Sequence, residues 1–112
     1  MTARTLRLAH RGDWRHAPEN TIAAFEAALA VPACDGLEFD VRLSADGVPV
    51  ICHDVTLLRI QGVPERVDAL TATALGELGV PTLESVLEVV GPQPFLDVEI
   101  KDDPSPAIVE VL

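Results

Sequence analysis

Seven residues in this chain have the types and spacing to act together on a charged ester. Glu38 and Asp40 stand two apart in Gly36-Leu37-Glu38-Phe39-Asp40-Val41-Arg42-Leu43, and Glu99 and Lys101 stand two apart in the segment 95–101. His10-Arg11 and His53-Asp54 each follow a short apolar run. Three carboxylates (Glu38, Asp40, Glu99) without a cysteine–histidine cluster make a hard, all-oxygen cation site, which favours Mg2+ or Ca2+ over zinc. Two histidines on separate segments, His10 and His53, can serve as general acid and general base near neutral pH. Arg11 and Lys101 can hold phosphate oxygens. A divalent ion neutralises charge on a transferring phosphoryl group and on the attacking or leaving oxygen. The sum points to phosphodiester hydrolysis.

The elements that must position these groups are strands. Leu37, Phe39, Val41 and Leu43 alternate with Glu38, Asp40 and Arg42, the period of a β-strand. Two carboxylates on one strand face are then about 6–7 Å apart at the Cα level, close enough for their oxygens to lean onto one cation. Leu6 and Leu8 belong to a first strand ending at His10. Val48–Cys52 is a third strand, apolar enough to be buried on both faces, ending at His53. Phe95–Lys101 is a fourth, with Leu96, Val98 and Ile100 on one face and Asp97, Glu99 and Lys101 on the other. The site residues are thus expected at strand C-terminal ends, where parallel α/β folds and barrels build active sites.

Between the strands the pattern is helical. Ile22, Phe25 and Leu29 form a stripe behind Asn20, a good N-cap, and Pro32 stops that helix. Residues 55–68 read as a long irregular connection, and 73–78 as a short helical turn. Pro81-Thr82 opens a helix with Leu83, Val86, Leu87 and Val90 on one stripe, closed by Gly91-Pro92. Ala107–Leu112 begins a last helix. The order β-α-β-β-(α)-α-β-α suggests parallel pairing, except that Asp46-Gly47 joins the second and third strands too tightly for a parallel crossover. Those two are either antiparallel or successive barrel strands with an abbreviated link.

Composition narrows the partners. The 112 residues suit one domain, and 48% hydrophobic residues supply a core. Eight basic against 18 acidic residues, a net charge of −10, argue against a nucleic-acid backbone or an anionic membrane surface. Cys34 and Cys52 carry no zinc spacing and read as reduced packing residues. The N-terminus lacks an apolar signal region, and no run approaches a membrane span, so the chain reads as cytoplasmic. Trp14 and His16 are expected in loop packing or at a rim, and Glu19 is not assigned as a ligand.

His10-Arg11-Gly12, Pro18-Glu19-Asn20-Thr21 with Ala24-Phe25, Glu38-Phe39-Asp40-Val41, Asp46-Gly47-Val48-Pro49-Val50, His53-Asp54, Arg59, Pro81-Thr82-Leu83-Glu84 and Glu99-Ile100-Lys101 stand in one order along nearly the whole chain. Together they resemble the glycerophosphodiester phosphodiesterases. That resemblance implies a TIM-type (β/α)8 barrel and metal-dependent cleavage of a small-molecule glycerophosphodiester to an alcohol and glycerol 3-phosphate. It implies His10 and His53 as the acid/base pair, Glu38, Asp40 and Glu99 as ligands of a divalent metal, Mg2+ or Ca2+, and Arg11 and Lys101 as phosphate contacts. In such enzymes the glycerol hydroxyl beside the phosphate attacks first, giving a cyclic phosphate that water opens. The chain departs from the family's usual residues at Ile60-Gln61-Gly62-Val63-Pro64, so a reshaped loop over the site is expected and the head group stays open. A (β/α)8 barrel takes about 250 residues. Residues 1–112 are therefore expected to be one C-terminally truncated domain, a half-barrel of about the first four strands. Two alternatives follow: a weakly active or inactive half-barrel that binds metal or assembles with another chain through open sheet edges, and a phospholipase-D-like phosphodiesterase on the same barrel.

Overall fold

The computed structural model describes residues 5–15, 17–102 and 106–112, with the side chains of 106, 107 and 109 left aside. The expectation for His16 falls outside the described residues. In chain order the elements are β1 (Leu8–His10), α1 (Ile22–Leu29), β2 (Gly36–Leu43), β3 (Pro49–Ile51), α2 (Leu58–Gln61), a 3-10 turn at Val67–Ala69, α3 (Ala72–Glu77), α4 (Leu83–Val90), β4 (Phe95–Ile100) and α5 (Pro106–Val111). None of the described helices is long and apolar enough to cross a membrane.

β2 is the central strand. β1 and β4 pair with it in parallel, His10 opposite Glu38 and Asp40 opposite Glu99. β3 pairs with its far end antiparallel, Val41 opposite Ile51 and Leu43 opposite Pro49. The tight link at Asp46-Gly47 therefore resolves as an antiparallel return. The chain overshoots the sheet with the end of β2, turns, and comes back; Cys52 N–H reaches the Asp40 carbonyl at 3.0 Å. His53 does not end a parallel strand, as the simple strand-end reading has it. It is carried back to the level of Asp40 by β3.

Burial follows the alternation. Leu37, Phe39 and Val41 are fully buried with Phe25, Ile51, Leu83, Val86 and Ile108, and the Phe25 and Phe39 rings tilt together 5.5 Å apart. Ile51 joins this core, while its neighbour Val50 faces a second cluster with Leu57, Val67, Leu75 and Val80. β3 is therefore buried on both faces, as its composition suggests.

Two glycines allow close approach. A Cβ on Gly36 would lie 1.9 Å from the Phe95 carbonyl oxygen, where β2 meets the start of β4. Gly12, at φ +85, would place one 2.8 Å from the Cβ of Ala24 on α1. With Arg11 at φ 61, Gly12 turns the chain sharply off the end of β1.

The cap of α1 is Thr21. Thr21, not Asn20, accepts the Ala24 N–H, at 3.2 Å. Asn20 is left-handed at φ 57, and its N–H goes to the Arg11 carbonyl at 2.9 Å, so its side chain is committed elsewhere. The opposite margins of the sheet stay open among the described residues: β1 and β4 each pair only with β2. On β4, Leu96, Val98 and Ile100 are only half-buried and Phe95 is exposed.

Candidate active site

Register assembles the acids. Glu38 and Asp40 project from the same face of β2, and Asp40 lies opposite Glu99 on the parallel strand β4. One carboxylate oxygen from each of Glu38, Asp40 and Glu99 lies within 4.8 Å of the other two. Glu38 Oε1 and Asp40 Oδ1 are buried and have no hydrogen-bond partner. Buried anionic oxygens without a donor are costly. An oxygen-seeking cation would satisfy both. Burial and the charge of Asp40 push the Glu38 carboxyl above its ordinary range, against the opposing charges of His10 and Arg11.

Cations of the chain offset part of this charge. Lys101 Nζ donates to Glu99 Oε1 at 2.7 Å and lies 3.9 Å from Asp40 Oδ1. The Lys101 bond holds Glu99 below the usual carboxylate range. Arg11 Nε lies 3.2 Å from Asp40 Oδ2, off the hydrogen-bond direction, and Arg11 Nη1 donates to Glu19 Oε2 at 3.2 Å. Asp40, fully buried, also accepts from Asn20 Nδ2 at 3.1 Å.

The histidines flank the acids. His10, largely exposed, places Nε2 3.9 Å from Glu38 Oε2. Trp14 donates its indole N–H to the His10 carbonyl, and its ring sits 6.0 Å from the imidazole. Trp14 thus stands at the rim, half-exposed. His53 is one-third exposed, and its Nδ1 lies 2.8 Å from Asp54 Oδ1. Its carbonyl accepts from Arg42 Nε and Nη2 at 3.0 and 2.7 Å, which anchors the backbone behind the ring.

All seven residues singled out from sequence fall on this one rim. Sequence reasoning missed what surrounds them. Glu19 is buried, and Arg59 on α2 donates to it from Nη1 and Nη2 at 2.8 and 3.0 Å. Arg59 also donates from Nε and Nη2 to Asp54 at 2.8 and 3.1 Å. The Arg59 bonds hold the Asp54 carboxyl far below its usual range. Burial raises the Glu19 carboxyl, but the Arg59 bonds and the charges of Arg11 and Arg59 outweigh it and leave it below. The sequence signal was a charged residue in a loop opposite another 40 positions away, which no local period exposes.

Known proteins carry the same arrangement of chain. The family model described as "Glycerophosphoryl diester phosphodiesterase family" matches residues 10–110. A glycerophosphodiester phosphodiesterase of Caldanaerobacter subterraneus subsp. tengcongensis is 39% identical over 112 residues, covering 88% of this chain and 46% of that protein. One from Bacillus altitudinis is 36% identical, covering 84% and 44%. The crystal structure of the Thermotoga maritima glycerophosphodiester phosphodiesterase superposes with a TM-score of 0.90 at 34% identity, over 99% of this chain and 50% of that one. An Oleispira antarctica phosphodiesterase in complex with the product sn-glycerol-3-phosphate superposes with a TM-score of 0.80 at 31% identity, over 96% and 51%. The chain spans about half the length of these relatives. Its parallel β1-β2-β4 sheet with flanking helices is accordingly part of a TIM-type barrel. With the match running from His10 to Glu110, across the whole rim just described, the chain belongs to the glycerophosphoryl diester phosphodiesterase family.

Proposed function

We propose that this chain supplies the catalytic rim of a metal-dependent phosphodiesterase that cleaves glycerophosphodiesters to an alcohol and glycerol 3-phosphate. One observation carries the reading: three carboxylates within 4.8 Å of one another, two of their oxygens buried without a hydrogen-bond partner, between two histidines. Glu38, Asp40 and Glu99 would hold a divalent cation, Mg2+ or Ca2+, which supplies neutralisation of phosphoryl charge. Arg11 and Lys101, both leaning on those carboxylates, hold phosphate oxygens. One of His10 and His53 takes the proton of the glycerol hydroxyl beside the phosphate. The other gives a proton to the departing alcohol. Water then opens the cyclic phosphate with the two roles exchanged. The relatives' names and the glycerol 3-phosphate in the Oleispira antarctica structure support the substrate class. The 112 residues act as part of one phosphodiesterase domain, and the two unpaired thiols suit the cytoplasm.

The open outer edges of β1 and β4, with β4 half-covered, favour a second reading alongside it. The half-barrel completes itself by joining another chain. The test is hydrolysis of glycerophosphocholine by the 112-residue chain with Mg2+, with Ca2+ and with chelator, beside His10→Ala and His53→Ala. Metal-dependent release of glycerol 3-phosphate, reduced about 100-fold or more in each variant, supports the first reading. Turnover unchanged in both variants overturns the histidine roles. Sedimentation of the active species separates a lone chain from an assembly.

A further inference from the structure

Arg59 touches none of the three clustered carboxylates, yet its guanidinium joins the two sides of the rim. One edge of the fork, Nε and Nη2, grips both oxygens of Asp54 at 2.8 and 3.1 Å. The other edge, Nη1 and Nη2, grips both oxygens of Glu19 at 2.8 and 3.0 Å. Each carboxylate passes the connection on. Asp54 Oδ1 meets His53 Nδ1 at 2.8 Å, and Glu19 Oε2 meets Arg11 Nη1 at 3.2 Å. The result is one unbroken line, His53–Asp54–Arg59–Glu19–Arg11, from the loop after β3 to the loop after β1.

We propose that Arg59 is a positioning residue, a planar strap that holds His53 in the tautomer with hydrogen on Nδ1 and holds the Arg11 side chain against the site. The roles of its two ends rest on the proposed function; the strap itself does not.

The chemistry runs as follows. An ionised carboxylate only accepts, so the short contact with Asp54 requires His53 Nδ1 to be the donor. In the neutral ring Nε2 then carries the lone pair, the form a general base needs. Asp54 keeps that role only while ionised and fixed, and Arg59 enforces both with two parallel charge-assisted bonds. Glu19 is 5% exposed overall, and a buried carboxylate requires partners; it has two guanidinium groups. The strap's own anchor is α2, whose N-cap Leu57 is completely buried in the second apolar cluster. An ammonium cannot grip two carboxylates edge-on at once, so lysine is no substitute here.

The test reads the His53 ring nitrogens by long-range 1H–15N NMR in the metal-free 112-residue chain, above the pH of imidazole titration. The expected wild-type pattern is protonated Nδ1 and bare Nε2. In Arg59→Ala the two tautomers mix, both ring resonances move toward each other, and the Arg11 side-chain N–H signals shift. Arg59→Lys moves them the same way and does not rescue. Methyl signals of Leu37 and Val41 report the intact sheet; should Arg59→Ala lose them, Arg59→Lys is the variant read. A residue that merely ties two loops together would lower the melting temperature and leave the tautomer alone, so an unchanged His53 pattern in either folded variant overturns the proposal. So does a wild-type ring protonated on Nε2. A wild-type chain that shows the expected tautomer but never turns over a glycerophosphodiester sinks the functional reading instead.

Discussion

Asn20 Nδ2 donates to Asp40 Oδ2 at 3.1 Å, and both residues are buried, Asp40 completely. The amide is one of few donors reaching an anion that shares its face with two other carboxylates. Its left-handed backbone, φ 57, aims it there. Asn20→Ala is expected to destabilise the chain by about 1.5–3 kcal/mol for the lost bond to a charged group. The backbone adds roughly 1–2 kcal/mol, because alanine resists that conformation. Asn20→Gly loses the same bond without the backbone strain. Urea titration of the two variants isolates each part, and equal midpoints would refute the strain assignment.

Crowded acids make the cation a stabiliser. Ca2+ or Mg2+ at a hundred times its dissociation constant should stabilise the folded chain by about 2.7 kcal/mol. Thermal melts with and without chelator measure this directly. Under the proposed function Asp40→Asn removes the central ligand, so its melting temperature should be indifferent to either ion. A variant that still responded fully would place the cation elsewhere.

The rim's acids pull acid stability in opposite directions. Glu38 is raised by burial and by Asp40, so the folded state takes up a proton before the unfolded one does. Its contribution is unfavourable at neutral pH and is relieved as pH falls through that raised value. Glu38→Gln should therefore be more stable than wild type at neutral pH in chelator, with the gap closing on acidification. Asp54, lowered by its Arg59 bonds, and Glu19, lowered by Arg59 and Arg11 against its burial, act the other way. Their contribution is complete above the ordinary carboxylate range and is lost as pH falls through their lowered values. In Arg59→Ala that acid-side loss should shrink. Urea midpoints across pH 3–8, on the order of the range between carboxylate and imidazole titration, would show both trends.

Gly36→Ala should break the site from a distance. Its methyl group would fall 1.9 Å from the Phe95 carbonyl oxygen, so β4 must draw away from β2. Asp40 and Glu99 are brought opposite each other by that pairing. Amide exchange in Phe95–Ile100 should accelerate and the proposed cation binding should fail, although none of the three carboxylates has changed. Gly76→Ala, on α3, meets no neighbouring atom within 4 Å and provides the comparison.

What the sequence made legible was whatever a short period encodes. Glu38, Asp40, Glu99 and Lys101 could be placed on one face because alternation along a strand is local, and parallel register then does the rest. The α4 stripe was equally plain, starting at Leu83 behind its Thr82 cap. The route to His53 was ambiguous, since a tight turn permits two pairings and only the register of β3 on β2, with the Cys52 N–H on the Asp40 carbonyl, selects one. Asn20 does not cap because its backbone is left-handed and its side-chain amide N–H goes to Asp40, leaving the cap to Thr21. Residues 55–68 hold a one-turn helix and a 3-10 turn, too short for any period to register. Arg59 sits there, and its meaning lies wholly in partners from two other loops.

The second apolar cluster gives the chain a modular roof. Val50, Leu57, Val67, Leu75 and Val80 pack among themselves, while the main core rests on α1, β2, α4 and α5. The segment between β3 and α4 thus carries its own interior, shares Val50 of β3, and touches β2 through the 3-10 turn. Its outer turns, Ile60 to Pro64 among them, can be rewritten without disturbing the carboxylates beneath. Grafting only the turn from Ile60 to Pro64 between relatives would change the surface beside the rim while leaving His53, Asp54 and Arg59 in place.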